Sequence, residues 1–298
     1  MEAATLAAHP VVADMLGRCT FPQDGPLCCA VSGGADSSAL LLLCVATGRD
    51  VGAIHVDHGL RAQSSRDADA VVELGARFGV EVAVHRVDLA EGPNLEARAR
   101  QARLSVFPPH VLTGHTADDR AETVLLQLLR GGALDALASM SSRGRPLLAL
   151  RRADTEAVCA AAKYRPVVDA TNQEQRFRRN RVRHEVLPLV AEVMERDPVP
   201  LLNRAAEIAT DERALLDELA AEIDPTDVRA LAAAPIALAR RAVRSWLHDG
   251  HPPDAASVDR VLAVAAGDAV ACEIAGGRRV ARRAGRLTLH PRASAGDR

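Results

Sequence analysis

LCCAVSGGADSSALLLLCVA, Leu27 to Ala46, decides the fold. An apolar run stops at two glycines, and a second, longer apolar run follows them. The pattern predicts a buried strand, a tight turn and a buried helix. Gly33 and Gly34 allow the backbone to turn where a side chain would obstruct it. Asp36 and Ser37 are N-cap types, so the helix is expected to begin there with several N–H groups directed into the turn. Such a helix start suits an anion, phosphate above all. It does not suffice alone. A helix terminus contributes roughly 0.3 to 2 kcal/mol, whereas micromolar binding of a nucleotide needs about 8 kcal/mol.

Two other phosphate loops are excluded by their residues. A Walker loop requires GxxxxGK[ST], and the only lysine of the chain is Lys163, far from any such glycine pattern. No GxGxxG follows a strand. SGGADS, Ser32 to Ser37, instead resembles the SGGxDS pyrophosphate loop of the PP-loop ATP-pyrophosphatases. That resemblance implies enzymes that hold the β and γ phosphates of ATP and transfer AMP to a substrate oxygen.

Working outward, the 298 residues suffice for two domains with separate cores. Hydrophobic residues make up 48% and aromatics only 2%, so those cores are built from Ala, Val and Leu. The net charge of −2 gives no sign of a nucleic-acid partner, but arginines cluster in RFRRNRVR (Arg176 to Arg183) and GRRVARRAGR (Gly277 to Arg286). The six cysteines show no CxxC and no regular spacing, and they read as small core residues in a reducing compartment. Neither a basic, apolar leader nor a run of 18 apolar residues occurs, so a cytoplasmic protein with no membrane partner is expected.

Strand and helix then alternate. Asp50 to Gly59, Val80 to Val87 and His110 to His115 read as strands; Ser64 to Phe78, Asn94 to Phe107 and a helix ending near Arg130 lie between and after them. The expected fold class is α/β, a parallel sheet covered on both faces, with ligands beyond the carboxyl ends of its strands. Ser32, the His55 to His58 segment and His115 therefore converge on one rim. In GHTADDRAETVLLQLLRGG, Gly114 to Gly132, Asp119 and Glu122 are three apart and share a helix face, while Asp118 points elsewhere. Two such acids hold Mg²⁺ beside ATP or clamp a cationic substrate. HVDH offers imidazole and carboxylate, but no second His/Cys cluster completes a transition-metal site.

Further along, a helix is expected from about Ala153 to Lys163 and another from about Arg179 to Val190, which places Arg179 and Arg183 on one face as phosphate ligands. Phe177 is a candidate for stacking on a base. RDPVP, Arg196 to Pro200, reads as a linker, which divides the chain into a catalytic domain, 1–196, and a smaller α-rich substrate-binding domain, 197–298. The second holds helices over Leu201 to Glu222, Pro235 to Leu247 and Ser257 to Ala266, then a tail of short strands. No internal repeat is present.

Taken together, SGGADS, HVDHGLR (His55 to Arg61), NLEARARQAR (Asn94 to Arg103), VLTGHTADDRAETVLLQLLRGG, RPLL and the D-x-TN and RN-x-x-R elements of Asp169 to Arg183 resemble the tRNA(Ile)-lysidine synthase family of PP-loop enzymes. The match is weaker in the second half, where ALARRAVRSWL (Ala237 to Leu247) and GGRRVARRAGRLTL (Gly276 to Leu289) carry it. The resemblance implies ligation of free L-lysine to C2 of the wobble cytidine in the CAU anticodon of tRNA(Ile), through an adenylated cytidine, with AMP and pyrophosphate released. Codon reading changes from AUG to AUA. It also implies roles. Ser32, Gly33, Gly34, Ala35, Asp36 and Ser37 hold the pyrophosphate, with Asp36 positioning either Mg²⁺ or the phosphates, and Arg61 and Arg100 contact phosphate or AMP. His115 lies near the adenylated base, Asp119 and Glu122 take the substrate lysine, and Arg179 and Arg183 bind nucleotide or tRNA. Thr116, Arg120 and Leu104 depart from the family pattern. A PP-loop thiolase would need suitably placed cysteines, an amide ligase would not need the arginine surface, and a non-catalytic RNA-binding module would not need the loop and acids together. Whether the chain forms a homodimer is left open by its residues.

Overall fold

The computed structural model describes residues 2–57, 64–87, 95–131, 134–138, 140–167 and 178–291. Two short helices, α1 (Ala3–Ala7) and α2 (Pro10–Arg18), precede the sheet and place Leu6 and Val12 in its core. The alternation then runs β1 (Leu27–Ala30), α3 (Ala35–Ala46), β2 (Val51–Asp57), α4 (Ser64–Ala76), β3 (Glu81–Arg86), α5 (Leu95–Val106), β4 (Leu112–Thr113), α6 (Ala117–Leu128), α7 (Leu134–Leu137) and α8 (Arg152–Ala161). All pairings in the four-stranded sheet are parallel, in the order β3-β2-β1-β4. Because the chain steps outward from β1 to β3 and then returns to the other side of β1, its direction reverses between β1 and β4. That reversal opens the crevice in which parallel sheets receive ligands.

α3 is the centre of the core. Ala39 to Cys44 are fully buried, and Val71, Leu74, Leu112, Leu147, Leu150 and Val158 from surrounding elements complete the cluster. A helix apolar on every side must be covered on every side, and this one is held against the sheet with α8 beside it, where Cys159 Sγ lies 3.5 Å from the Ala35 carbonyl oxygen. Apart from the short β4, the elements match the expected pattern. Its expected span of six residues shrinks to Leu112 and Thr113, because the Val111 N–H before it closes a turn on the Pro108 carbonyl and the Thr113 N–H goes to the Gly144 carbonyl, outside any strand.

Beyond α8 the chain forms one nearly continuous helical stretch in three pieces: α9 (Arg178–Arg181), a π-helical segment (Val182–Val186) and α10 (Leu187–Val193). The single expected helix is thus interrupted by a wider turn. Pro188 has no N–H to donate back, and a π turn ahead of it accommodates the missing bond. RDPVP does not form a linker. Asp197 Oδ1 accepts from the Val199 N–H at 3.0 Å, and Pro198 and Pro200 occupy the first turn of α11 (Pro198–Ala221), where proline is tolerated. The chain divides into two compact units, Met1–Glu207 and Ile208–Arg298, so the division falls inside α11 rather than at residue 196.

The second unit contains the rest of α11, then α12 (Val228–Ala233), α13 (Ile236–Leu247), α14 (Ala255–Ala266) and an antiparallel sheet of β5 (Ala271–Ile274), β6 (Arg278–Arg283) and β7 (Arg286–His290) in that order. Val243, Leu247, Val258, Val261, Val264 and Val280 form its own aliphatic core. Asp254 caps α14 through the Ser257 N–H at 2.6 Å, and Gly267 closes that helix at φ +99°. Among the described residues no helix is long and apolar enough to cross a membrane.

Candidate active site

The loop between β1 and α3 is built from its own hydroxyls and from one glycine. Gly33 sits at φ +92°, where a Cβ would also come within 3.3 Å of Val167 Cγ2. Gly34 has an ordinary negative φ and is the N-cap of α3, so the helix begins at Ala35. The expectation that Asp36 or Ser37 would cap it is corrected: both lie in the first turn, and no side chain caps the helix. Its first N–H groups are thereby kept from an intramolecular carboxylate and point toward the loop. Ser37 Oγ donates to the Gly34 carbonyl (3.1 Å), accepts from the Ser32 N–H (3.0 Å) and meets Ser32 Oγ at 3.0 Å. These bonds fix the loop from within.

α6 approaches the same loop because Gly114 permits it. A Cβ at that position would lie 2.7 Å from the Asp36 carbonyl oxygen and 3.0 Å from Ser37 Cα. Thr116 then caps α6, and Asp119 completes a capping box, its Oδ2 accepting from the Thr116 N–H at 2.9 Å. Asp118, as expected, faces away from Asp119 and Glu122. It accepts a forked pair of bonds from Arg151 and the Arg152 N–H at 2.8 Å, which docks the start of α8 on the start of α6. That docking delivers two side chains the sequence had not singled out. Thr155 Oγ1 reaches Asp36 Oδ1 at 2.5 Å, and Arg152 lies 3.5 Å from Asp36 Oδ2, 3.3 Å from Asp119 Oδ1 and 3.8 Å from Glu122 Oε1.

Arg179 and Arg183 join the same cluster from α9 and the π turn. Arg179 donates through Nε to Glu122 Oε2 (2.7 Å) and through Nη2 to Asp119 Oδ1 (3.1 Å). Arg183 grips Glu122 with both prongs, Nε to Oε1 at 2.6 Å and Nη2 to Oε2 at 3.1 Å. Three carboxylates, Asp36, Asp119 and Glu122, are therefore interleaved with three guanidiniums, Arg152, Arg179 and Arg183. Glu122 is fully buried, a position a carboxylate holds only when paired and hydrogen-bonded.

The two aspartates respond oppositely to this setting. Burial pushes the Asp36 carboxyl above its usual range, and the Thr155 hydroxyl and Arg152 offset that only in part. Burial acts on Asp119 in the same direction, but Arg179, the Thr116 N–H, Arg152 and His115 outweigh it and hold this carboxyl below the usual range. His115 is positioned by Thr113, whose Oγ1 lies 2.9 Å from its Nδ1 and 3.3 Å from the Gly144 carbonyl oxygen. With the hydroxyl donating to that carbonyl, His115 Nδ1 is the donor to Thr113 Oγ1.

The loop, Asp36, Asp119 and Glu122 are thus in one place, as expected, whereas Arg179 and Arg183, expected on phosphate or tRNA, are bonded to the two acids. His55 is not a ligand on the rim: it is buried, and Nδ1 donates to the Val31 carbonyl at 2.8 Å. Arg120 likewise turns away, to Asn203 and Glu207. His58, Arg61, Asp169, Thr171, Asn172 and Phe177 lie outside the described residues, as does the side chain of Arg100. Arg152 and Thr155 were missed because their value depends on the docking of α8. The signal available was RRADT directly after RPLLAL, a helix start with a charged first turn.

Known families place this arrangement. The PP-loop domain family matches residues 11–190, and the TilS substrate binding domain family matches residues 227–288. The tRNA(Ile)-lysidine synthase of Nocardia farcinica (strain IFM 10152) is 42% identical over 74% of this chain and 74% of its own. That of Salinispora arenicola (strain CNS-205) is 38% identical over 91% of this chain and 92% of its own. Among solved structures, the U34-tRNA thiolase NcsA from Methanococcus maripaludis with its [4Fe-4S] cluster covers 67% of this chain and 77% of its own at a TM-score of 0.51 and 16% identity, a likeness of fold. With one family model covering the whole sheet unit around the loop, and relatives aligned through both units, this chain belongs to the tRNA(Ile)-lysidine synthase family of PP-loop enzymes.

Proposed function

We propose that the chain uses ATP to join the side-chain amine of free lysine to C2 of the wobble cytidine in the CAU anticodon of tRNA(Ile). The observation that carries this reading is Arg152, which touches the loop carboxylate Asp36 and both acids of α6, so that a phosphate subsite and a cation subsite are contiguous. An amine cannot expel the C2 oxygen of cytidine unaided. Transfer of AMP to that oxygen, with pyrophosphate held by the N–H groups of the loop and α3, makes it a leaving group. Lysine then attacks C2, and AMP departs.

Each residue has one task in this scheme. Gly33 and Gly34 let the backbone approach the phosphates, and Ser32 and Ser37 keep the loop in shape. Asp36, which no residue grips with two prongs, would be the carboxylate to hold Mg²⁺, a hard cation that takes one or two carboxylates together with phosphate oxygens. The metal would draw charge off the phosphates. Asp119 and Glu122 receive the lysine ammonium, whose ordinary pKa near 10.4 requires loss of a proton before attack, and His115, whose charge acts on Asp119, is the group assigned to take it.

The test is to incubate the full chain with Mg-ATP, labelled lysine and a tRNA(Ile) transcript carrying CAU. Label is expected in the RNA only with ATP, and not in a UAU transcript. Asp36→Ala is expected to abolish tRNA-dependent AMP formation; persistence of AMP formation in that variant removes the loop from the chemistry.

A further inference from the structure

We propose that Arg179 is an internal occupant of the amine subsite, and that the phosphates of ATP admit lysine by drawing Arg179 away. The inference rests on the reading of Asp119 and Glu122 as the acids that receive lysine. Every oxygen of that pair already has a partner within the chain. Asp119 Oδ2 is committed to the Thr116 N–H of the capping box, and Glu122 Oε1 to Arg183. The other two, Glu122 Oε2 and Asp119 Oδ1, also accept from Arg183 and Arg152 at 3.1 and 3.3 Å, and the one guanidinium of Arg179 bridges them from one acid to the other, at 2.7 and 3.1 Å. An ammonium that contacts both acids needs those same two oxygens. Lysine and Arg179 therefore compete for one place.

Arg179 is the member of the cluster able to yield. Its side chain is 37% exposed, against 21% for Arg183 and 27% for Arg152. When it leaves, Glu122 keeps the two-pronged grip of Arg183, so no buried carboxylate is stranded. A guanidinium does not lose its proton, so the displaced side chain must take its charge to another anion. Arg152 links the acid pair directly to the phosphate loop, so the phosphate chain of ATP would bring its charge to the same cluster. Two ligands that both favour the displaced state of one side chain bind cooperatively, and the coupling is reciprocal.

Isothermal titration of L-lysine into the full chain, with and without the Mg complex of an α,β-methylene ATP analogue, reads this coupling. In the unsubstituted protein the analogue is expected to tighten lysine binding about tenfold, within the usual range for coupled sites, and lysine to tighten the analogue equally. Arg179→Ala is expected to bind lysine more tightly without the analogue and to show no further gain with it. Arg179→Gln, whose near-native size guards against a merely unfolded variant, is expected to behave the same way, with thermal unfolding midpoints confirming that both fold. If either folded variant binds lysine no better than the unsubstituted protein, or retains the coupling, the proposal is wrong. Glu122→Gln separates it from the reading beneath: undiminished lysine binding there removes the acids as the lysine subsite, whereas lost binding there with unaltered binding in Arg179→Ala removes only the role of Arg179.

Discussion

Asp36 and Asp119 show how one cluster sets two like residues apart. Asp36 is loosely paired and pushed up by burial; Asp119 is also buried but sits at a helix N-terminus among guanidiniums. For Asp119 the folded carboxyl titrates below the ordinary aspartate value near 3.8, so the unfolded chain takes up its proton first as pH falls. The stability it contributes is complete above that ordinary value and is lost as pH drops through the lowered folded one. Asp36 acts with the opposite sign: its folded carboxyl keeps a proton to higher pH than the unfolded one, so it costs stability once pH rises through that range. Asp119→Asn is therefore expected to be less stable than the unsubstituted chain at neutral pH but to lose less of its remaining stability on acidification, as measured by thermal unfolding midpoints from neutral pH down to about pH 3, below the ordinary aspartate value. Thr155 supplies a second expectation. Thr155→Val removes the hydroxyl from Asp36 Oδ1, and a hydrogen bond to a charged group is worth about 1.5 to 3 kcal/mol; kcat for tRNA-dependent AMP formation should fall by roughly tenfold or more, with Thr155→Ser restoring most of it.

At the scale of elements, the turns that close on one another were partly legible and partly not. The glycine pair and the i, i+3 acids stood out because each is a local pattern, readable from spacing alone. The division of labour between Gly33 and Gly34, the capping of α6 by Thr116 and the arrival of Arg152 depend on where β4 and α8 dock, and spacing does not encode that. Thr116 was read only as a departure from the resembled pattern, yet its hydroxyl and N–H are what orient Asp119. The π turn was hidden for a similar reason. Pro188 was visible, but a proline inside a helical pattern predicts a kink or a stop rather than a widened turn. Gly114 is the sharpest test of the docking. A Cβ there meets backbone of the first turn of α3, which cannot rotate aside as a side chain would. Gly114→Ala is expected to cost about 2 kcal/mol or more in urea unfolding, in the range of overpacked cores, and to weaken ATP binding with it.

Across the whole molecule, charge is distributed to different ends. The arginines around the acids of the first unit are spent on its own carboxylates, whereas β6 carries Arg279 and Arg283 at exposed positions. The sequence marked both clusters alike, because an arginine run reads the same whether acids lie beside it in space or not. Substituting Arg279 and Arg283 with alanine is expected to weaken tRNA binding across sequences and to lower the slope of log K against log salt by about 1 for each phosphate contact removed. Arg179→Ala should leave that slope nearly unchanged. The fully buried α3 has a consequence for how the protein opens. Its central amides, Ala39 to Cys44, have no route to solvent short of separating the helix from the sheet and from α8, so their hydrogen exchange is set by global unfolding of the unit. A nucleotide bound at the N-terminus of α3 stabilises that unit by RT ln(1 + [L]/Kd). The slowing of exchange in the middle of one helix then measures nucleotide affinity, with no RNA, no lysine and no turnover.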